Sequence, residues 1–334
     1  MSTVRVGLVG VANHGTTILN AIRESGTLTL TSCFDIDAAA MESVARTHGV
    51  RAARSYEDLL ADPALDAVAL VTPNHLHHEQ VRLATRAGKH LFVEKPIAND
   101  VGEGKEILRM ASDAGRILFV GHNTRRRQSF RRASALIAEG TIGTVAAVEG
   151  NLSRSAGLLP GLPPWKADPR TCPLLPMMQL GIHLVDTVEF LLGPVEEVSC
   201  IAATIAMPGA VYDSTASLLK LVSGVPVSLA SYYVTPDAFF LRIYGTRGLL
   251  HCTPTRVHIE QIDGGMVTET KDEDFPDEGT RSYTLQMKEF GECVRSGRQP
   301  ETDGPGGLRA LAAIEAMTRS VSERRTVRIA EVLA

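Results

Sequence analysis

The sequence predicts an α/β protein in two parts. An N-terminal doubly wound parallel sheet is followed by a C-terminal α+β domain built on an open, mostly antiparallel sheet. Three observations lead there. Up to residue 120, apolar strand patterns alternate with helix patterns across short links, the grammar of βαβ units. After Gly121 the grammar becomes a run of strands, several joined by short turns containing Gly or Pro, as in antiparallel hairpins. Aromatics make up 5% of the 334 residues although 44% are hydrophobic, so Ala, Val and Leu fill the apolar quota, which suits strands covered by helices.

Each element follows from its local pattern. Residues 4–9 (V-R-V-G-L-V) read as a buried strand and 15–25 as its crossover helix. A second strand, 28–34, precedes an alanine-rich helix over 38–48, and a short helix opens at 55–60. The run 67–71 (A-V-A-L-V) is a fully apolar strand ending at Thr72-Pro73-Asn74. A helix over 78–87 stops at Gly88, a common C-terminal cap. Strand 91–93, helix 101–114 and strand 117–120 complete the first part, placing a boundary near residue 122. Beyond it come a basic helix over 129–139 and strands at 144–151, 196–206, 213–222, 225–233, 239–244 and 256–261. Helices are expected over 177–192 and 283–296. The loop 153–176 holds six of the seventeen prolines, which suits a stiff pocket wall as well as an ordinary connector.

Composition excludes several classes. A chain of 334 residues with 22% charge is too long for one small core and too ordinary in composition to be disordered or fibrous. A net charge of −4 leaves no bulk attraction to nucleic acid or to an anionic membrane, and no apolar run approaches a bilayer span. Met1-Ser2-Thr3 runs directly into a strand pattern, leaving no room for a charged-then-apolar leader. The five cysteines, at 33, 172, 200, 252 and 293, include no C-x-x-C pair, which argues for a reducing, cytoplasmic setting over a disulfide framework or structural zinc.

The chemistry-bearing residues stand at strand ends. Gly10, Ala12 and Gly15, with Asn13 and His14 between, form a G-x-A-x-x-G turn from first strand to first helix. Such a turn brings backbone N–H groups and the helix dipole onto a pyrophosphate, and Ala12 adds a methyl where a second glycine is usual. The alternative is a tight βα turn without a ligand. Asp35 ends the second strand 20 residues after Gly15, beside Ile36, where a carboxylate accepts ribose hydroxyls and repels a 2′-phosphate. No arginine follows at 36 or 37, so NAD is favoured over NADP. The alternative is that Asp35 caps the next helix, but Asp37 is equally placed for that job.

Glu94-Lys95-Pro96 follows a buried strand, where Lys95 is either a surface ion pair or a proton carrier in a cleft. In Thr72-Pro73-Asn74-His75-Leu76-His77-His78, Asn74 suits an N-cap or cofactor contact, and no nearby carboxylate or cysteine completes a metal site. Gln179, His183 and Asp186 fall at i, i+4 and i+7, a polar stripe that lines a pocket or forms a satisfied core network. Arg125, Arg126, Arg127, Arg131 and Arg132 read as a solvated helix face from which one member turns inward to an anionic group.

Together these residues resemble the Gfo/Idh/MocA oxidoreductase family. The resemblance rests on an ordered series: the glycine turn, V-T-P-N-H-L-H, A-G-K-H-L-F-V-E-K-P, V-G-H-N-T-R-R, L-I-A-E-G-T-I-G, L-G-I-H-L-V-D and S-G-R-Q-P-E-T-D-G. It covers nearly the whole chain. It implies a dinucleotide-binding Rossmann domain over 1–122 and a substrate-binding and oligomerisation α+β domain over 123–334, associating through its sheet face into a homodimer or homotetramer. By position, Lys95 resembles the lysine that handles the substrate hydroxyl proton, and His183 the histidine that helps hold or deprotonate that hydroxyl. Thr72, Pro73, Asn74, His77, Glu94 and Asn123 resemble cofactor-pocket residues. Arg126, Gln179, Asp186, Trp165 and Lys166 fall on the substrate side. Many relatives carry aspartate where this chain has Gln179, which cannot titrate. The implied activity is hydride transfer between a secondary alcohol of a sugar, sugar derivative or cyclitol and NAD. The alternatives are a glycosidase that recycles NAD internally, and a regulator that binds dinucleotide and sugar without turnover.

Overall fold

The computed structural model describes residues 3–209, 211–276 and 279–334, so Met1 and Ser2 of the leader reading lie outside it. The chain forms two compact units, Met1–Asn123 with Gly279–Leu308, and Thr124–Glu278 with Arg309–Ala334.

The first unit alternates β1 (Val4–Val9), α1 (His14–Glu24), β2 (Leu28–Phe34), α2 (Ala38–His48), β3 (Arg51–Ala52), α3 (Tyr56–Leu60), β4 (Ala67–Leu70), α4 (His77–Arg86), β5 (His90–Val93), α5 (Val101–Asp113) and β6 (Leu118–Val120). The strands pair in parallel in the order β3-β2-β1-β4-β5-β6. The order reverses between β1 and β4, and ligands of such sheets sit at that switch point, beyond the strands' carboxyl ends. Helix starts are fixed locally: Asp37, Ser55 and Asp100 each accept a hydrogen bond from a backbone N–H in the first turn of α2, α3 and α5.

The second unit opens with α6 (Gln128–Ala138) and β7 (Val145–Ser153), then passes through a π-helical turn (Met177–Gly181) into α7 (Ile182–Leu192). It continues with β8 (Val195–Ala203), β9 (Ser214–Leu221), β10 (Pro226–Tyr232), β11 (Ala238–Gly245), β12 (Gly248–Thr253), β13 (Arg256–Asp263) and β14 (Met266–Asp274). The last elements of the chain are α8 (Arg281–Ser296), α9 (Gly304–Glu323), β15 (Val327–Arg328) and α10 (Ile329–Leu333). The nine-stranded sheet runs β14-β13-β12-β11-β7-β10-β9-β8-β15 and is open. Its β7–β10 pair is parallel and its other pairs antiparallel. One face buries Val148, Leu229, Leu241, Ile243, Leu250 and Cys252, while Ile201 and Leu218 stand out in solvent.

Three expectations need correcting. A single cut at 122 misses the return of residues 279–308 to the first unit, where Met287, Phe290 and Cys293 of α8 complete the core around Leu8, Ile18, Phe92 and Phe119. Residues 177–192 are not one α-helix: the π-turn inserts wider spacing before α7, so Gln179, His183 and Asp186 do not form the straight stripe that 3.6-residue periodicity implies. The strands β12 and β14 and the long α9 escaped the pattern reading. In β14 eight of the nine side chains are exposed and charges abound, a protected edge without an apolar face. The start of α9 carries Gly304, Pro305, Gly306 and Gly307, residues that ordinarily signal a loop. Two of those glycines are required by packing, since a Cβ at Gly307 would meet Val120 at 2.7 Å and one at Gly304 would meet Leu118 at 2.8 Å. No described helix is long and apolar enough to cross a membrane.

Candidate active site

In the first unit the site is built along the carboxyl edge of the parallel sheet. After β1, Gly10 adopts φ +86°, and a Cβ there would lie 2.5 Å from the carbonyl oxygen of Val71, which follows β4. Glycine is therefore demanded by both conformation and space. Gly15, in the first turn of α1, is packed against the Gly10 carbonyl group with no room for a side chain. Ala12 keeps an ordinary negative φ, so its methyl is accommodated, whereas Asn13 takes φ 50° to launch the helix. No side chain caps α1 and no acidic residue stands in its first turn, so its positive end suits an anion.

Asp35 and Asp37 divide two tasks. Asp37 caps α2 through the Ala40 N–H at 3.0 Å. Asp35 instead accepts the Val11 N–H at 2.7 Å and the Asp37 N–H at 2.9 Å, which fixes its carboxylate beside the glycine turn. Oδ2 also accepts the Ala12 N–H at 3.4 Å, whereas Oδ1 accepts the Asp37 N–H and keeps a second lone pair. Ile36, next in sequence, is 95% exposed.

The turns after β4 and β5 are tied together by His77. Its buried ring has Nδ1 3.0 Å from the Pro96 carbonyl oxygen and Nε2 3.0 Å from that of Thr72. Burial lowers this imidazole's pKa, while its contacts with the Thr72 and Pro96 carbonyl oxygens act in the opposite direction. It thereby clamps the turn carrying Lys95, whose peptide bond to Pro96 is cis. Thr72 donates its hydroxyl to Gln80 at 2.6 Å, and buried Asn74 donates to Asn99 at 2.8 Å. His78 faces Glu106 at 2.6 Å, away from His77's carbonyl partners, so the histidines of this turn diverge.

Glu94 is buried, with Oε1 3.2 Å from His14 Nε2 and Oε2 accepting the Lys95 N–H at 3.2 Å. Burial raises the carboxyl's pKa, but His14 and Lys95 outweigh it and hold the group below the ordinary value. Gly121 is a glycine because a Cβ would lie 2.8 Å from that carboxylate. The same edge receives two residues that sequence reasoning missed. Tyr283 packs edge-on to His14 with ring centroids 5.3 Å apart, and Ser282 accepts a hydrogen bond from Asn123 at 2.8 Å. Both come from α8, 159 residues beyond Asn123 in the case of Ser282, so no local signal announces them.

The second unit holds the remaining candidates. His183 is oriented by Thr124, whose Oγ1 lies 3.1 Å from Nδ1. Asp186 is buried and ion-paired, Arg125 Nε donating to Oδ2 at 2.9 Å and Nη2 to Oδ1, so its carboxylate anchors α7 to the 3₁₀ turn Thr124–Arg126 instead of standing open to a substrate. Arg126 is buried in that same turn. Gln179 sits on the π-turn and donates its amide N–H to Cys172 Sγ at 3.8 Å. Trp165 and Lys166 stand half-buried on a 3₁₀ turn (Pro164–Lys166), with Lys166 Nζ 5.4 Å from the indole centroid. Burial draws the Lys166 ammonium below the ordinary lysine pKa, partly countered by the neighbouring Cys172 thiol.

Known proteins share this chain's domains and fold. Residues 4–122 match the model of an oxidoreductase family with an NAD-binding Rossmann fold, and 130–251 match the C-terminal domain of the same Gfo/Idh/MocA group. The chain is 30% identical to an inositol 2-dehydrogenase of Rhizobium meliloti, over 98% of this chain and 100% of the relative. It is 29% identical to an NADP⁺ D-xylose 1-dehydrogenase of Haloferax volcanii, over 88% and 90% of the two chains. Its fold matches that of a levoglucosan dehydrogenase solved with NADH and levoglucosan, with TM-score 0.90 and 19% identity over 98% and 100% of the chains.

Proposed function

Because the chain belongs to the Gfo/Idh/MocA oxidoreductase family, we propose that it is an NAD-dependent dehydrogenase acting on a secondary alcohol of a sugar, sugar derivative or cyclitol. The observation that carries this reading is the shared sheet edge of the first unit, where Lys95 follows β5 and the glycine turn follows β1. Gly10, Gly15 and the open end of α1 hold the pyrophosphate. Asp35 holds the adenosine ribose and disfavours a 2′-phosphate, which is the support for NAD over NADP. Asn74, Glu94 and Asn123 border the nicotinamide end. The cofactor, when bound, takes hydride at its nicotinamide ring.

The chain's own residues manage the proton. Lys95 accepts it from the hydroxyl as the carbinol carbon gives up hydride, and the alcohol becomes a carbonyl group. His183, its ring set by Thr124, is the histidine that the family resemblance assigns to the substrate hydroxyl. A positioned acid–base group of this kind contributes on the order of 10²–10⁴ in rate. Lys95→Ala should therefore abolish NADH formation across a panel of sugars, sugar acids and inositols while leaving NAD affinity nearly intact. A variant keeping more than about a tenth of wild-type turnover would overturn the assignment. Hydrolysis of an aryl glycoside without net NADH would instead mark internal recycling of the cofactor. The partner proposed for the open sheet face is a second copy of this chain, because Ile201 and Leu218 are 77% and 66% exposed there.

A further inference from the structure

Resting on the reading of Lys95 as the proton carrier, we infer that His77 is its positioning residue. The ring carries its proton on Nδ1 and donates it to the Pro96 carbonyl oxygen, which fixes the bend that holds Lys95. The imidazole is 1% exposed and lies between two carbonyl oxygens, that of Pro96 3.0 Å from Nδ1 and that of Thr72 3.0 Å from Nε2. Both polar edges of the ring thus meet backbone of the first unit, and His77 acts on the site through the turns it joins.

A neutral imidazole has one N–H and can donate to only one of these carbonyls. Burial disfavours a second proton, against the upward pull of the Thr72, Pro96 and Ile97 backbone and of Glu94. The two acceptors are not equivalent. The contact with Pro96 is fully buried, whereas the contact with Thr72, itself a half-buried residue, is buried only in part. A carbonyl left without a donor bears its full desolvation penalty where water is excluded, and a smaller one where water reaches it. The proton therefore belongs on Nδ1, facing Pro96.

That bond matters because residues 95–100 form a bend with neither helix nor strand to hold it. Side chains do so instead. On one side of Lys95, Glu94 Oε2 accepts the Lys95 N–H at 3.2 Å, with His14 close to the same carboxylate. On the other side His77, the first residue of α4, holds the Pro96 carbonyl, and Asn74 donates to Asn99 at 2.8 Å. Loss of the His77 bond releases the backbone one residue after Lys95, and a shift of a reacting group by about 1 Å costs on the order of 10²-fold in rate.

Two substitutions part the two contacts, because asparagine places an amide N–H close to Nδ1 and glutamine places one close to Nε2. With NAD and the best substrate of the sugar and inositol panel, His77→Gln should lower kcat on the order of 10²-fold with KM for NAD within about threefold. His77→Asn should keep at least about tenfold more kcat than His77→Gln. Equal losses in both variants, or a loss carried by KM for NAD, would overturn the inference. Two further readouts need no turnover. Long-range proton–nitrogen spectra of the wild type should show His77 protonated on Nδ1 alone near neutral pH, its signals identified by their loss in either variant. Protonation on Nε2 alone, or on both nitrogens, overturns the inference. With lysines dimethylated, the carbon resonance missing from Lys95→Arg should move further in His77→Gln than in His77→Asn, and equal movement also overturns it. A wild type that forms no NADH with any substrate contradicts the dehydrogenase reading alone, since both spectra still decide where His77 places its proton and whether Lys95 follows.

Discussion

Asp35→Asn isolates a charge at the end of β2, because asparagine keeps the shape and one acceptor oxygen. In the wild type the two carboxylate oxygens anchor the Val11 and Asp37 N–H groups at 2.7 and 2.9 Å. The variant retains one anchor and turns an amide donor toward the other, so a drop of about 1–3 kcal/mol in stability is expected. The effect on cofactor choice is larger. Each hydrogen bond from a ribose hydroxyl to an ionised carboxylate contributes about 1.5–3 kcal/mol, so NAD should weaken roughly 10- to 100-fold. A 2′-phosphate about 4 Å from the carboxylate meets a repulsion of about 4 kcal/mol per unit charge at an effective dielectric constant near 20, and the variant removes it. The NAD:NADP preference should therefore shift by at least about 100-fold toward NADP. Titrating NADH and NADPH fluorescence measures this without any substrate. A wild type that binds NADPH better, or a variant whose preference moves less than about threefold, would refute the reasoning.

Three other perturbations test separate parts of the structure. Gly10→Ala must adopt φ +86° with its methyl 2.5 Å from the Val71 carbonyl oxygen, so a loss above about 3 kcal/mol is expected in urea unfolding, and a loss under about 1 kcal/mol would contradict the packing. Glu273 is held down to about 2 by hydrogen bonds from Arg132 and Lys271. Its stabilisation is complete above the ordinary carboxylate pKa near 4.3 and is lost as pH falls from there through about 2. Glu273→Gln should flatten the urea midpoint across that window, and an unchanged slope would reject the pairing. Leu218→Glu on the open sheet face should lower the mass measured by light scattering to that of one chain, and an unchanged assembly would place the contact elsewhere.

Legibility in the sequence followed the range of the interactions. Gly10, Gly15, Asp35 and Asp37 act on neighbours within one βαβ unit, so spacing pointed to the glycine turn and the two aspartates, and the structure gave the cap of α2 to Asp37. Glu94-Lys95-Pro96 at the end of an apolar strand left Lys95 open between a surface ion pair and a proton carrier, and only the family resemblance assigned it a role. The helix over 177–192 misled because the register of Gln179 depends on a π-turn, which leaves no mark in apolar periodicity. Asp186 read as a pocket residue because its partner, Arg125, lies 61 positions earlier in a run that looked like a solvated face.

The sequence by itself determined the strand–helix alternation, the parallel sheet and the residues at its carboxyl edge, since each rests on periodicity or on steric demands among near neighbours. Tertiary structure decided which of those residues are already engaged. It brought Ser282 and Tyr283 of α8 to Asn123 and His14, set His183 against Thr124 and paired Asp186 with Arg125. The physical reason is common to all: a charge or hydrogen bond is satisfied by whatever group the packed chain brings within about 3 Å, and that group carries no fixed spacing along the sequence.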